Sequence, residues 1–334
     1  MTTTSAIAAP GSPRNLNLLL VGATVGLAYG FALRLIGLLP HASTVMTVGF
    51  IVMMPVGVGF VTIYLAEVRQ RQKIWIWFIL PWLPMAAALL GTILALLEGT
   101  ICVVLLSPLA FVLASVGGAL GGLAGRVIRQ RRTRNLTLAC VMALPLFTMT
   151  WERLAFYEQD VRRVDNVIDI QAPPDIIWNN IERVPPIRKE ELPDTWARRI
   201  GFPDPIEATL SYEGLGGVRH ASYEKGLRFT EMVDEWEPEQ RLGFSISPQS
   251  VPETTLDEHV RVGGPYFDVL HGEYRLEPLG NGVTRLRLSS HHRLSTDFNW
   301  YAHLWTDALL HDLQQRILVV VRQRCERQAA APSK

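Results

Sequence analysis

Apolar residues follow two different patterns along this chain, and the change comes near Trp151. Before it, four runs stay apolar for the roughly 20 residues that a hydrocarbon layer requires. They are Leu16 to Leu39, Thr44 to Ala66, Ile74 to Leu97 and Ile101 to Gly125. A fifth run, Leu136 to Trp151, is shorter and contains Pro145, so the pattern predicts four to five transmembrane helices. Beyond Trp151 the apolar positions become periodic. Trp151 to Val164 reads as a short amphipathic connecting helix and Val164 to Ile170 as a strand. Pro173 and Pro174 then open a helix over Ile176 to Val184, and a further helical piece is expected over Glu190 to Ile200. Strands are predicted over Ile206 to Tyr212, Val218 to Tyr223, Leu227 to Trp236, Arg241 to Ile246, Phe267 to Leu276 and Val283 to Leu294, joined by Gly-rich punctuation. A long helix from Phe298 to Arg324 closes the chain, with Phe298, Ala302, Trp305, Leu309, Leu313, Ile317 and Val320 as its apolar stripe.

Charge sharpens the division. Up to Trp151 there are 10 Lys/Arg and 2 Asp/Glu, and beyond it 22 and 29, so a net +1 conceals +8 and −7. Lys and Arg mark cytoplasmic loops. Arg14 precedes the first run; Arg69, Arg71 and Lys73 follow the second; Arg126, Arg129, Arg131, Arg132 and Arg134 follow the fourth. The loops around His41 and Glu98 carry none. The N-terminus is therefore expected in the cytoplasm of an integral inner-membrane protein. If Leu136 to Trp151 spans, the C-terminal half lies outside the cytoplasm, which is the preferred reading; if it is re-entrant, that half stays inside, as Arg153, Arg162 and Arg163 favour. Trp75, Trp77, Trp82 and Trp151 suit an interfacial aromatic belt. The ionisable residues within or beside the runs, Arg34, Glu67 and Glu98, sit near their ends, where side chains snorkel outward, so transport is not indicated. Gly117, Gly118, Gly121, Gly122 and Gly125 form a small-residue stripe suited to close helix packing. The acidic C-terminal half argues against nucleic acid as a partner, and three scattered cysteines suggest neither a disulfide framework nor a zinc site.

Several local features of the C-terminal half point one way. Val167-Ile168-Asp169-Ile170-Gln171-Ala172-Pro173 leads to Ile177-Trp178. Glu231-Met232-Val233-Asp234-Glu235-Trp236-Glu237-Pro238 follows, then His271-Gly272-Glu273-Tyr274-Arg275-Leu276-Glu277-Pro278 and Gly282-Val283-Thr284-Arg285-Leu286. In order and spacing this half resembles the START-like (SRPBCC) superfamily, in particular its polyketide cyclase/dehydrase and lipid-transport group. The resemblance covers Val164 to Arg327 and none of the apolar half. It implies an α+β helix-grip fold, an antiparallel sheet wrapped round a long C-terminal helix, with an apolar cavity for a lipid, sterol, polyketide or quinone. A fold of this kind hosts binders and enzymes alike.

Strand phase nominates the lining. Leu270, Tyr274 and Leu276, with Leu286 and Leu288, should face inward, and the same phase takes in Gly272, Ser290 and His292; His271, Glu273, Arg287 and His291 should face outward. With Trp178, Trp305 and Leu309, the inward set, Gly272 apart, makes the expected ligand-binding group. Tyr274 and His292 are the candidates for acid–base chemistry on a carbonyl. A metal site built on His259, His271, His291, His292 and Glu231 is disfavoured, because adjacent strand residues point to opposite faces. No cofactor is expected, and no GxSxG, P-loop, HExxH or dinucleotide fingerprint occurs.

The chain is thus expected to comprise a cytoplasmic tail (1–15), a transmembrane helical domain (16–151), a connector (152–163), a START-like ligand-binding domain (164–327) and a disordered tail (328–334). The leading expectation is membrane-tethered binding or transfer of a hydrophobic small molecule: a lipid, isoprenoid or quinone-like compound. The alternatives are a membrane-bound cyclase, dehydratase or hydrolase acting on an apolar substrate, and a sensor or assembly factor whose helices form an interaction platform.

Overall fold

The computed structural model describes residues 13–36, 47, 49–128, 131–152, 159–251 and 261–331. The expected features at His41, Arg129 and His259, and the side chains of Arg14 and Trp151, lie outside the described residues. The chain forms two compact units that divide between Tyr157 and Glu158.

The first unit is all helix: α1 (Pro13–Ile36), a π-helical turn (Gly49–Met53), α2 (Met54–Arg69), α3 (Ile74–Ile79), α4 (Trp82–Leu94), α5 (Thr100–Val127) and α6 (Arg131–Glu152). Among the described residues four stretches are long and apolar enough to cross a membrane: Leu16–Ile36, Gly49–Arg69, Ile74–Leu94 and Thr100–Val127. The helix that contains Leu136 to Trp151 is not among them. The run from Ile74 to Leu97 is not one straight helix. Pro81, which has no backbone N–H to give, separates α3 from α4, and the chain leaves the helix at Leu96, whose φ is 54°.

α2 is the hub of this unit: 78% of its apolar window is buried, against 28% for α5. The glycine stripe explains how. A Cβ on Gly59 would overlap the Ala114 carbonyl, one on Gly117 that of Val56 and one on Gly121 that of Phe60, so α2 and α5 touch backbone to backbone. Gly118 and Gly122 admit Trp77 in the same way. Trp77 is accordingly buried rather than part of an outer belt, while Trp75 and Trp82 are exposed. The ionisable residues do not snorkel. Arg34 pairs with Glu98 at 2.8 Å. Glu67 is enclosed, accepting from Gln72 N (2.9 Å), Trp77 Nε1 (3.1 Å) and Arg126 Nε (2.8 Å).

The second unit is α+β. Seven antiparallel strands, β1 (Asp160–Ile170), β2 (Pro205–Leu210), β3 (Val218–Tyr223), β4 (Arg228–Glu237), β5 (Arg241–Ser250), β6 (Phe267–Gly280) and β7 (Val283–Leu294), line up in the order β1-β7-β6-β5-β4-β3-β2. The sheet curls into a half-barrel with the long α9 (Asn299–Ala330) against it. α7 (Pro174–Glu182) also packs on α9. Hairpins set the register by local chemistry: Asn281 and Gly282, at φ 52° and 71°, make the tight turn between β6 and β7.

Three expectations need correction. The connecting helix expected over Trp151 to Val164 falls mainly on residues 153–158, outside the described residues, and its last five positions are strand instead, because β1 starts at Asp160 and pairs with β7 from Asp160↔Leu294 onward; the exposed and buried side chains of β1 alternate with period two. The helical piece over Glu190 to Ile200 is only a 3-10 turn (Lys189–Glu191) and α8 (Trp196–Arg199), interrupted at Pro193. The last helix continues past Arg324 to Ala330, and Arg324 and Arg327 both bond to Glu191 along that extension.

The core of this unit joins Ile168, Ile170, Ile177, Ile181, Leu242, Leu276, Leu286, Leu318 and Val321. α9 has little overall amphipathicity because it buries polar side chains as well, Asp312, Gln314 and Arg316 among them. Arg316 is held between Asp204 (2.5 Å) and Asp312 (3.0 Å). A lone buried guanidinium would be prohibitively desolvated; two carboxylates make it tolerable.

Candidate functional site: a cavity in the grip

A cavity of about 120 Å³ lies between the sheet and α9. Its walls are alternate residues of consecutive strands, as the pleat dictates: Ala221 and Tyr223 of β3, Phe229 of β4, Phe244 and Ile246 of β5, Val269 and Tyr274 of β6, and Leu288 of β7. Leu310, Leu313 and Ile317 of α9 close it. Gly272 contributes by absence: a Cβ there would collide with the Phe244 ring, so glycine lets that ring lie over β6.

One end of this apolar space is charged. Arg219 and Glu231 face each other in the β3–β4 register, both almost fully buried, with Arg219 Nη1 donating to Glu231 Oε2 at 2.5 Å. The other Arg219 nitrogens donate to α7, Nε to Glu182 O (3.2 Å) and Nη2 to Ile181 O (3.1 Å), so the guanidinium also satisfies orphan carbonyls at that helix's C-terminus. Its flat face lies 4.7 Å above the Phe244 ring centroid. Burial pushes the Glu231 carboxyl upward from its ordinary pKa, against the pull of Arg219. It pushes the Tyr274 hydroxyl to about 12 and raises Tyr223 as well. Both phenols are therefore neutral hydroxyls near neutral pH.

At another edge, Ser290 accepts a hydrogen bond from Gln314 Nε2 (2.8 Å), which also donates to Val164 O (3.1 Å). Asn166 donates to Gln314 Oε1 (2.9 Å). This network anchors α9 to β1 and β7 and leaves no buried amide orphaned there.

Of the residues nominated from sequence, Tyr274, Leu288 and Ser290 line the cavity. Leu276 and Leu286 face inward but oppose each other in the solid core. Trp178 packs edge-on against Trp236 at 5.0 Å in that core. Leu309 is buried beside the lining residue Leu310, and Trp305 lies tilted against Trp196 and edge-on to Tyr301. Leu270 is 36% exposed, because a bulge between Val269 and His271 breaks the strand phase and hands the inward place to Val269.

His292 does not meet Tyr274 at a common site. It is completely buried outside the cavity lining, with Asp307 Oδ1 3.3 Å from Nε2 but out of hydrogen-bonding alignment. Asp307 is engaged instead by Arg162 at 3.0 Å. Burial lowers the His292 pKa. His291 and His271 share the outer face, rings 6.0 Å apart, with His271 3.2 Å from Asp234. Glu273, expected outward, is nonetheless buried beneath Arg241 and Arg275, which both bond to it. Among the described residues no three His, Cys, Asp or Glu side chains gather as metal ligands.

Sequence reasoning missed Arg219 and passed over Glu231 as a cavity residue. The signal was present: Glu231 lies in phase with Phe229 and Val233, and Arg219 with Ala221 and Tyr223. A charge in step with buried neighbours on both of two adjacent strands marks an internal pair.

No family model and no curated protein matches the chain. Solved structures with a similar shape match over the C-terminal half, and they are folds of the SRPBCC type. TTHA0849 from Thermus thermophilus is 17% identical, with 51% of this chain and 100% of that one covered and a TM-score of 0.35. The Zhui aromatase/cyclase from Streptomyces sp. R1128 is 16% identical, with coverage of 52% and 100% and a TM-score of 0.31. DynU16, a protein of the dynemicin biosynthetic locus, is 18% identical; the match spans 50% of this chain and about half (48%) of that one, with a TM-score of 0.31.

Proposed function

We propose that the C-terminal unit binds an apolar small molecule between its sheet and α9, and that the four apolar helices hold that unit at a bilayer. The observation that carries this reading is the hollow itself. Protein interiors are packed to crystal-like density with few voids larger than a water molecule, yet here about 120 Å³ stays open inside a wall of aromatic and branched side chains. An apolar guest gains roughly 25 cal/mol for each Å² it withdraws from water. A void of about 150 Å³ in another protein accepts benzene, so this space suits one ring or a short branched segment of a lipid, isoprenoid or quinone-like molecule. Anchoring beside a bilayer raises the local concentration of such molecules without any new contact.

The test is to extract the full chain gently and identify bound molecules by native mass spectrometry, alongside Ala221→Leu, which places extra methyl groups into the cavity. The wild type should carry apolar guests that the variant lacks. The same complement in both would refute the reading.

A further inference from the structure

The guest's polar group can be specified from the charged end of the cavity; the inference rests on the binding role proposed above. Glu231 lines the cavity, and its Oε2 is taken by Arg219. Among the described residues its other oxygen accepts no hydrogen bond. A carboxylate oxygen that opens on an apolar enclosure takes its hydrogen bond from whatever donor enters that enclosure. Tyr274 stands on the same wall and supplies a hydroxyl that can both give and take a hydrogen bond.

The charge balance excludes ionic guests. A carboxylate or phosphate would face Glu231, while the three nitrogens of Arg219 already donate to Glu231, Glu182 and Ile181. An ammonium would bring an uncompensated charge into a pair that is already neutral, and burying such a charge is expensive. A bare carbonyl, as in a quinone, accepts from Tyr274 but offers Glu231 nothing. We infer that the cavity selects a neutral apolar molecule ending in a hydroxyl, an alcohol or phenol, whose O–H donates to Glu231 and whose oxygen accepts from Tyr274.

The experiment compares three probes of one shape, phenol, toluene and benzoate, binding to the full chain in lipid nanodiscs by ligand-observed NMR. Ala221→Leu reports uptake by the lipid rather than by the cavity. Phenol should bind about tenfold more tightly than toluene, the worth of one good hydrogen bond, and benzoate should not bind. Tyr274→Phe should shrink the phenol preference severalfold. The double variant Arg219→Met/Glu231→Leu should abolish it, and Tyr274→Phe still decides the matter if the double variant fails to fold. Toluene bound with no preference for phenol, or benzoate bound as well as phenol, would overturn the hydroxyl selection and leave the cavity as a binding site. Equal uptake of every probe by the wild type and Ala221→Leu would overturn both.

Discussion

Each unit buries a carboxylate against an arginine, and the two do so to different ends. Glu67 in the helical unit is saturated: Gln72, Trp77 and Arg126 between them occupy both its oxygens, and the Arg126 guanidinium lies 4.2 Å over the Trp77 ring. It has the form of a structural rivet. Glu231 in the sheet unit is held through one oxygen and opens on a cavity. The surroundings differ in the same sense. Glycine at 59, 117 and 121 removes space between helices until backbones meet, whereas Gly272 moves one ring aside in a wall that encloses space. Burial of charge alone does not announce a site; incomplete satisfaction next to a hollow does.

The comparison can be broken at the helical seam first. Gly59→Leu forces a side chain into the Ala114 carbonyl and should cost upwards of about 4 kcal/mol, as severe overpacking does; thermal unfolding of the detergent-solubilised chain measures it. The carboxylates come next. Glu67→Ala strands Arg126 and Trp77 Nε1 and should cost about 3 kcal/mol. Arg219→Met/Glu231→Leu removes both charges together, which by itself is close to neutral, but takes the donor from the Glu182 and Ile181 carbonyls and should cost about 2 kcal/mol for that reason. The smallest effect is with pH. Burial holds the His292 pKa below its ordinary 6.5, so the folded unit takes up fewer protons than the unfolded chain. Its stability is intact above pH 6.5 and declines as pH falls from 6.5 toward the lowered value, by at most about 1.4 kcal/mol per pH unit. His292→Leu should flatten that slope in denaturant titrations; an unchanged slope assigns it to other groups.

How much of this was legible beforehand follows the range of the forces involved. The apolar runs and most strands were readable, because periodicity is local; Val218 to Tyr223 and Val283 to Leu294 are strands to the residue. The break between α3 and α4 also has a local signal, Pro81, which cannot donate a backbone hydrogen bond. The extent of β1 was not readable, since Asp160 to Arg163 become strand only through partners near Leu294. Leu270 was misplaced because a bulge is a two-strand event that one strand's phase does not reveal. The cavity was misjudged in part for the same reason: whether an inward residue meets space, like Tyr274, or solid core, like Leu276, depends on how far α9 stands from the sheet. Residues two apart on β6 have those different fates.

The pairing of β1 with β7 carries a consequence for biogenesis. The first strand to leave the ribosome can be zipped up only by the last, with Asp160 opposite Leu294, and contacts so distant in sequence close slowly. A nascent chain that has not yet delivered Val283 holds β1 as an orphan edge, which the charges of Arg163, Asp165 and Asp169 on its exposed phase guard from pairing with a neighbour. Nonsense or frameshift lesions between Ile170 and Val283 should therefore yield sticky, unfinished sheets rather than smaller working domains.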